Sequence, residues 1–291
     1  MQELIIASAN LEICVQTFGL NSNPAILFIY GAAGQGILWD LELCQKLANN
    51  GYFVIRFDNR DTGKSSVIDF NLNPYNLDDL TNDLNLIINH FALKKIHLVG
   101  SSMGGYIAQI FSSKYPEKLA SLTLMMTTIN SSSLRGINGE LPSHSSYFVK
   151  ELSRLYEIPR STLAERILAL TNTWKLFSGW ESEFPFEQWH ELAKESYQRA
   201  KGNNAIKNHR LAILNSAPDR TNLMNKISTP TLIIHGAADP VIQVEHALYA
   251  AKQISHASLK IIDKMGHLLI SQFTNQVLDE LHEHFQTSSK N

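Results

Sequence analysis

A serine between two glycines is the residue of this chain whose surroundings most clearly favour covalent chemistry. Ser102 is the centre of Gly100-Ser101-Ser102-Met103-Gly104, directly after a buried apolar run and before a helical stretch. A serine hydroxyl is a weak nucleophile at neutral pH, so it needs an adjacent base and an exposed position. A sharp strand-to-helix turn gives that exposure, and small residues two positions away relieve backbone crowding. The spacing therefore predicts that Ser102 is a nucleophile.

Two residues far downstream have the types and positions of its catalytic partners. His267 lies in the loop after the last predicted strand, where an imidazole can act as the base. Asp239 lies just past an earlier buried strand, and serine, acid, histidine is a chain order that serine hydrolases use. Asp263 is the rival acid, but it precedes His267 by four residues, which favours a turn or strand-end role. Two further carboxylates lie outside strand-end loops and are weaker candidates: Asp83 and Asp219.

Two backbone N–H groups are predicted to hold the oxyanion that forms when Ser102 attacks a carbonyl. The helix after Ser102 puts a positive dipole end and free N–H groups at the turn, so the N–H of Met103 is the first predicted donor. The second comes from the loop Tyr30-Gly31-Ala32-Ala33-Gly34-Gln35-Gly36 after the third strand. Because small residues let the backbone approach a carbonyl oxygen closely, we expect the N–H of Ala32 to be that donor.

The glycines of this loop also suggest nucleotide binding, but the spacing does not fit. Gly31, Gly34 and Gly36 follow a strand in the order Gly-x-x-Gly-x-Gly, whereas a dinucleotide site needs Gly-x-Gly-x-x-Gly. The segment Gly63-Lys64-Ser65 resembles the end of a phosphate-binding loop, which would require glycine where Asp58 stands. No spacing among the histidines resembles a metal set. The sequence therefore predicts neither a nucleotide cofactor nor a metal site.

An α/β alternation along the chain predicts a mostly parallel eight-stranded sheet flanked by helices, which would position these residues. From 130 to about 225 it is interrupted by helical stretches rich in aromatic residues. We therefore expect an α/β core of residues 1–129 and 226–291, with a helical cap of residues 130–225 inserted between two strands. Asn76 is the predicted N-cap of the helix before the fifth strand. Eight apolar runs are the predicted strands, the first two forming a hairpin: 4–7, 11–17, 25–30, 52–57, 96–99, 122–126, 231–235 and 259–262.

Bulk composition limits the partners and the compartment. The 291 residues are 44 % hydrophobic with a formal net charge of −2 and no basic run, which argues against a nucleic-acid or anionic-lipid partner. Cys14 and Cys44 are too few and too isolated for a disulfide framework, so we expect buried thiols. No basic region precedes the first apolar run, and no window approaches the length of a membrane span. We expect a cytoplasmic protein without a membrane partner. The sequence does not indicate the oligomeric state.

Motifs beyond the serine turn match those of a known family. One such motif begins within the fourth predicted strand and continues past its end: Val54-Ile55-Arg56-Phe57-Asp58-Asn59-Arg60-Asp61-Thr62-Gly63-Lys64-Ser65. The inserted region contributes Phe177-Ser178-Gly179 and Pro185-Phe186. With Ser102 and its glycines, these residues resemble the α/β-hydrolase superfamily. Within it they are similar to aclacinomycin methylesterase and similar bacterial carboxylesterases. Asp61 makes the resemblance to this group more specific, because many superfamily members have glycine at that position.

The resemblance implies a cofactor-free serine esterase with an α/β-hydrolase fold and a helical cap over the carboxyl edge of the sheet. By motif correspondence Ser102, Asp239 and His267 form the triad, and Ala32 and Met103 supply the oxyanion donors. The chain departs from the family in having Tyr30-Gly31 where many members have His-Gly. We expect this change to alter local packing more than the oxyanion hole, because the donors of the hole are backbone groups.

The predicted reaction is hydrolysis of a carboxylic ester through an acyl-enzyme. The cap should supply an apolar pocket for a small-molecule ester, and the resemblance implies a polycyclic methyl ester. The same triad could serve a lactonase, thioesterase, carbon–carbon bond hydrolase or peptidase, or persist in a non-catalytic ligand receptor. A serine at the nucleophile position argues against haloalkane dehalogenases and epoxide hydrolases, which use aspartate. The candidate pocket residues are Tyr30, Trp174, Phe177, Trp180 and Phe186.

Overall fold

One eight-stranded sheet runs through the protein in the computed structural model, which describes residues 1–137 and 139–288. The strand order is β1-β2-β4-β3-β5-β6-β7-β8. The first two strands pair antiparallel with each other, β2 pairs antiparallel with β4, and the remaining neighbours are parallel. The predicted hairpin and mostly parallel sheet are therefore confirmed. The strands are β1 Gln2–Ala7, β2 Glu12–Phe18, β3 Ala25–Ile29, β4 Phe53–Phe57, β5 Ile96–Ser101, β6 Leu119–Met125, β7 Thr231–Gly236 and β8 Ser258–Ile262.

Ten α-helices accompany these strands within the described residues. The predicted N-cap Asn76 is confirmed: its side chain accepts from the N–H groups of Asp78 and Asp79, and the Asp79 carboxylate accepts from the N–H of Asn76. The helices are α1 Leu41–Asn49, α2 Leu77–His90, α3 Met103–Lys114, α4 Ser146–Glu157, α5 Leu163–Phe177, α6 Phe186–Arg199, α7 Ala205–Leu214, α8 Thr221–Met224, α9 Glu245–Gln253 and α10 Thr274–Ser288.

Two apolar clusters cover the two faces of the sheet. Successive side chains of a strand point to opposite faces, so Leu27 and Ile29 of β3 join one cluster while Ile26 and Phe28 join the other. Helices α2, α3 and α9 contribute to the first cluster, and α1 and α10 contribute to the second. Because β3 is covered on both faces, its residues form the continuous apolar run that the sequence displays.

Between β6 and β7 the described chain forms helices α4 to α8 and no strand, apart from one isolated bridge between Asn130 and Asp219. Buried residues of α5 and α6, including Trp174 and Trp189, belong to the second apolar cluster of the core. The inserted region is thus packed onto the α/β framework. Its division from the core at 130 and 225 stays a prediction.

Both cysteines are buried and free, as predicted. Burial raises the pKa of the Cys14 thiol to about 11 and that of Cys44 to about 12, so both thiols are protonated at neutral pH. No helix formed by the described residues has the length and apolar character needed to cross a membrane.

Candidate active site

The turn between β5 and α3 holds Ser102 in a strained backbone conformation. Its φ is 54°, in the left-handed region that residues with a Cβ rarely adopt. The N–H of Ser102 donates to the carbonyl of Met125 at 3.0 Å, and its carbonyl accepts from the Thr127 hydroxyl at 2.8 Å. These bonds to the end of β6 and the following residues hold the turn in place. The predicted strand–turn–helix context of Ser102 is confirmed.

The glycines on either side of Ser102 are needed for close backbone approach. A Cβ on Gly100 would collide with the carbonyl of Gly104, and a Cβ on Gly104 would collide with the carbonyl of Ile29. The turn can therefore be this sharp only with glycine at both positions, which is the physical reason for the five-residue pattern.

The histidine that the sequence singled out contacts Ser102, and the acid contacts that histidine. His267 Nε2 lies 3.0 Å from Ser102 Oγ, and His267 Nδ1 lies 2.7 Å from Asp239 Oδ2. In the tautomer that satisfies both contacts, Nδ1–H donates to the carboxylate and Nε2 accepts from the serine hydroxyl. The N–H of His267 also donates to the carbonyl of Phe177 at 2.7 Å, which connects the histidine loop to the end of α5.

The loop after β7 keeps the carboxylate of Asp239 buried but hydrogen-bonded. Its Oδ1 accepts from the N–H groups of Val241 and Ile242, each at 2.9 Å, so Oδ2 is left for His267. The rival Asp263 is exposed. No hydrogen bond or ion pair joins Asp263 to His267 in the described part of the chain. The geometry therefore favours Asp239 as the acid.

The N–H groups of Ala32 and Met103 donate to no acceptor within residues 1–137 and 139–288. Ala32 lies in a turn closed by the N–H of Gly34 donating to the carbonyl of Gly31 at 3.2 Å. Met103 is the first residue of α3, where N–H groups lack intrahelical partners. Both donors are thus available to a ligand, as an oxyanion hole requires.

Two buried histidines contact the site although the sequence assigns neither a role there. His235 at the end of β7 has Nε2 2.7 Å from the carbonyl of Ile242 and 3.4 Å from Asp239 Oδ2. Burial lowers the pKa of His235, which favours the neutral ring. Nδ1 of His209 in α7 accepts from the N–H of Ala33, in the loop of residues 30–36 that we call the oxyanion loop after its predicted role. Neither residue has a local sequence signal, because both roles arise from contacts distant along the chain.

The five predicted pocket residues contact different aromatic partners, and their role in a substrate pocket stays a prediction. Phe177 packs edge-on against His267, with ring centroids 6.1 Å apart. Tyr30 packs edge-on against Trp39 at 5.7 Å, next to Gly31 of the oxyanion loop. The other three contact aromatic rings of the inserted region: Trp174 against Trp189, exposed Trp180 against Tyr147, and Phe186 against His190 and Phe184.

A cleft of about 730 Å³ lies between α1 and α6. Its walls include Arg56, Trp189 and Leu269, and none of the triad or predicted pocket residues lines it. Among the residues that the structure describes, no group of three or more His, Cys, Asp or Glu side chains is arranged to hold a metal ion.

A model of the α/β-hydrolase fold family matches residues 24–273, which include the turn at Ser102, the loop after β3, Asp239 and His267. The chain belongs to the α/β-hydrolase fold family. The eight-stranded sheet agrees with that assignment, and the resemblance read from the motifs is confirmed.

Similar proteins of known activity include two bacterial methylesterases. Rhodomycin D methylesterase of Streptomyces peucetius is 28 % identical over 274 residues, which cover 89 % of this chain and 91 % of that protein. The protein of the same name from Streptomyces sp. strain C5 is also 28 % identical, over 92 % of this chain and 93 % of its own length.

Solved structures resemble the whole chain. The 2-hydroxy-6-oxo-6-phenylhexa-2,4-dienoate hydrolase of a Rhodococcus species superposes with a TM-score of 0.78 at 19 % identity, covering 98 % of both chains. An esterase of Exiguobacterium antarcticum superposes with a TM-score of 0.77 at 20 % identity, over 98 % of this chain and all of that one. These similarities show the fold.

Proposed function

We propose that this protein hydrolyses carboxylic esters, with Ser102 as nucleophile, His267 as base and Asp239 as orienting acid. The observation that carries the proposal is the 3.0 Å contact between His267 Nε2 and Ser102 Oγ, because it connects the half-buried serine of a strained turn to a base. The buried contact of 2.7 Å between His267 Nδ1 and Asp239 supports the role of the acid. Membership of the hydrolase family and the similar methylesterases support the reaction class.

The first half of the reaction forms an acyl-enzyme. His267 Nε2 takes the proton of the Ser102 hydroxyl while Oγ attacks the ester carbonyl carbon. The carbonyl oxygen becomes an oxyanion that accepts from the N–H groups of Ala32 and Met103. When the tetrahedral intermediate collapses, the bond to the alcohol oxygen breaks, and the alcohol leaves with the proton from His267.

The second half restores the enzyme. A water gives a proton to His267 and adds to the acyl carbon, and collapse of the second intermediate releases the carboxylic acid. Ser102 Oγ then recovers its proton from His267. Throughout both halves, Asp239 keeps Nδ1 protonated and stabilises the imidazolium.

A methyl ester of a bulky, ring-containing compound is the proposed substrate class. It is supported by the rhodomycin D methylesterases at 28 % identity and by the ring of Phe177 beside His267. The helices from α4 to α8 are the proposed cap that encloses the acid or alcohol part of the ester. Cytoplasmic location and the absence of nucleic-acid partners stay predictions.

The test of the activity is turnover of a p-nitrophenyl ester together with labelling by a fluorophosphonate. Wild-type protein should turn over the ester and incorporate one label per chain. Ser102→Ala should lose labelling and lower kcat by about 10⁴–10⁶-fold. The neighbouring Ser101→Ala is the matched control and should keep both properties. Near-normal turnover in Ser102→Ala would remove Ser102 from the mechanism.

The substrate class needs a separate panel of methyl esters, lactones, thioesters and amides of matched size. Preference for methyl esters of ring compounds supports the proposed class. Labelling of Ser102 without turnover of any member would instead favour a ligand receptor with a retained triad.

A further inference from the structure

The oxyanion loop contains a residue under backbone strain. In the turn from Gly31 to Gly34, Ala33 is the third residue and has a φ of 61°. Turns with a positive φ at this position normally have glycine there, because the Cβ of any other residue crowds the backbone in the left-handed region. An interaction outside the loop must therefore favour this conformation of Ala33.

His209 supplies that interaction from the inserted helix α7. The N–H of Ala33 donates to His209 Nδ1 at 2.9 Å, and His209 Nε2–H donates to the carbonyl of Arg60 at 2.8 Å. The imidazole is fully buried and both of its nitrogens are bonded, so its tautomer and orientation are set. Burial lowers the pKa of His209, which keeps Nδ1 free of a proton and able to accept.

The contact joins three parts of the protein that are distant in the sequence. Ala33 lies in the loop after β3, Arg60 lies in the loop after β4, and the bond from Ala33 to His209 spans 176 residues. The residue before Ala33 is Ala32, whose N–H is one of the two proposed oxyanion donors. A change in the conformation of Ala33 therefore displaces the adjoining donor.

We propose that His209 is a positioning residue for ester hydrolysis, which holds the oxyanion loop so that the N–H of Ala32 faces the reacting carbonyl. This inference rests on the proposed function. Without the Nδ1 acceptor, the Ala33 N–H has no protein partner and nothing offsets the strain at φ 61°, so the turn relaxes. Stabilisation of the oxyanion depends steeply on the position of the donor. Loss of the His209 contact should therefore weaken binding of the transition state more than binding of the substrate.

The two nitrogens of His209 can be tested separately. An asparagine side chain can place its carbonyl oxygen near the position of Nδ1, so His209→Asn retains an acceptor for Ala33. A glutamine can place its amide nitrogen near the position of Nε2, so His209→Gln retains only the donor to Arg60. Kinetics are measured with a p-nitrophenyl ester at pH 7.5, and each rate is divided by the concentration of Ser102 that a fluorophosphonate labels.

His209→Gln should lower kcat per labelled site by about 10–100-fold with KM changed less than about twofold. The Ki of a boronic acid that forms a tetrahedral adduct with Ser102 should rise by a similar factor. His209→Asn should recover most of both losses. Ala33→Gly in the His209→Gln background should recover part of them, because glycine removes the backbone strain. His209→Ala, which also lacks the acceptor, replaces His209→Gln if the latter does not fold.

His97 provides a matched control, because it is also buried and bonded through Nδ1, to Ser121 Oγ at 2.8 Å. His97 is the second residue of β5, at the end of the strand opposite to Ser102. His97→Asn and His97→Gln should therefore differ in stability but have equal kcat per labelled site. Equal kcat and Ki for His209→Asn and His209→Gln would overturn the proposed role of His209. A wild-type protein that neither labels nor turns over ester would instead overturn the proposed function, and the positioning role with it.

Discussion

Two aspartates near His267 differ in what their surroundings allow them to do. The Asp239 carboxylate is buried, bonded to His267 Nδ1 at 2.7 Å and supported by two backbone N–H groups. Asp263 is closer in sequence but exposed. A buried, fixed carboxylate sets the imidazole tautomer, whereas an exposed one interacts weakly through water. The distinction can be tested with isosteric substitutions.

Asp239→Asn should lower kcat by about 10⁴-fold, because an amide at this position permits the wrong histidine tautomer. Asp263→Asn, which removes the same charge from the rival position, should stay within about twofold of the wild type. Both are measured by ester turnover per folded protein, with circular dichroism to check folding. A larger loss in Asp263→Asn than in Asp239→Asn would reverse the assignment of the acid.

At the scale of elements, strand β5 and helix α10 meet around two histidines that are kept neutral. His97 packs against Phe285 with ring centroids 4.4 Å apart, and His284 Nε2 bonds to the carbonyl of Leu122 at 3.2 Å. Burial lowers the pKa of each from 6.5 to about 4. The unfolded chain therefore binds more protons than the folded chain between these two pH values.

The free energy of unfolding should accordingly fall as the pH drops from about 6.5 toward 4. Each histidine contributes up to about 1.4 kcal/mol per pH unit in that range. His97→Asn keeps a bonding group near the Nδ1 position without the titration, so its stability should depend less steeply on pH. Urea denaturation at several pH values measures both curves. Equal slopes for the two proteins would show that His97 stays solvated or becomes charged in the folded state.

The elements and the contacts among Ser102, His267 and Asp239 could be predicted from the sequence for different physical reasons. Strands such as β4 are buried on both faces, so their burial appears as a continuous apolar run. The triad follows from the glycine pattern around Ser102 and the order of its partners. Helix boundaries depend on local caps that periodicity does not show: α1 begins at Leu41, because Asp40 caps it after a separate 3-10 turn over Gly36–Leu38.

Contacts between residues that are distant in the sequence cannot be predicted from apolar runs or motif spacing. His209 lies in a helical stretch with no motif, and its role depends on the N–H of Ala33 reaching it across 176 residues. His235 ends a strand in the sequence, yet its distance of 3.4 Å from Asp239 Oδ2 appears only in the folded chain. Periodicity and spacing predict elements and their ends, whereas the direction of a buried polar side chain depends on tertiary packing.

At the scale of the whole molecule, Arg199 at the end of α6 joins the inserted region to the sheet. Its guanidinium bonds to Asp58 Oδ2 at 2.9 Å and to Glu3 Oε2 at 2.7 Å, and its Nε bonds to Gln35 in the oxyanion loop at 3.2 Å. Asp58 is itself buried and accepts from the N–H groups of Gly36 and Lys64.

The stabilisation that the ion pair between Arg199 and Glu3 provides depends on the protonation of Glu3 and therefore on pH. Burial raises the pKa of Glu3, but the hydrogen bonds from Arg199, Lys64 and Gln16 outweigh it and lower the pKa from 4.5 to about 2. The folded chain therefore favours the ionised carboxylate more than the unfolded chain does. The resulting stabilisation is present above pH 4.5 and is lost as the pH falls toward 2.

Arg199→Met should destabilise the protein by about 3–5 kcal/mol, because it leaves the Asp58 carboxylate buried without its cation. Arg154→Met is the control: it breaks the exposed pair of Arg154 with Glu151 in α4 and should cost less than about 1 kcal/mol. Urea denaturation at pH 7 measures both. A cost below about 1 kcal/mol for Arg199→Met as well would mean that apolar packing of α5 and α6, rather than this ion pair, holds the inserted region on the core.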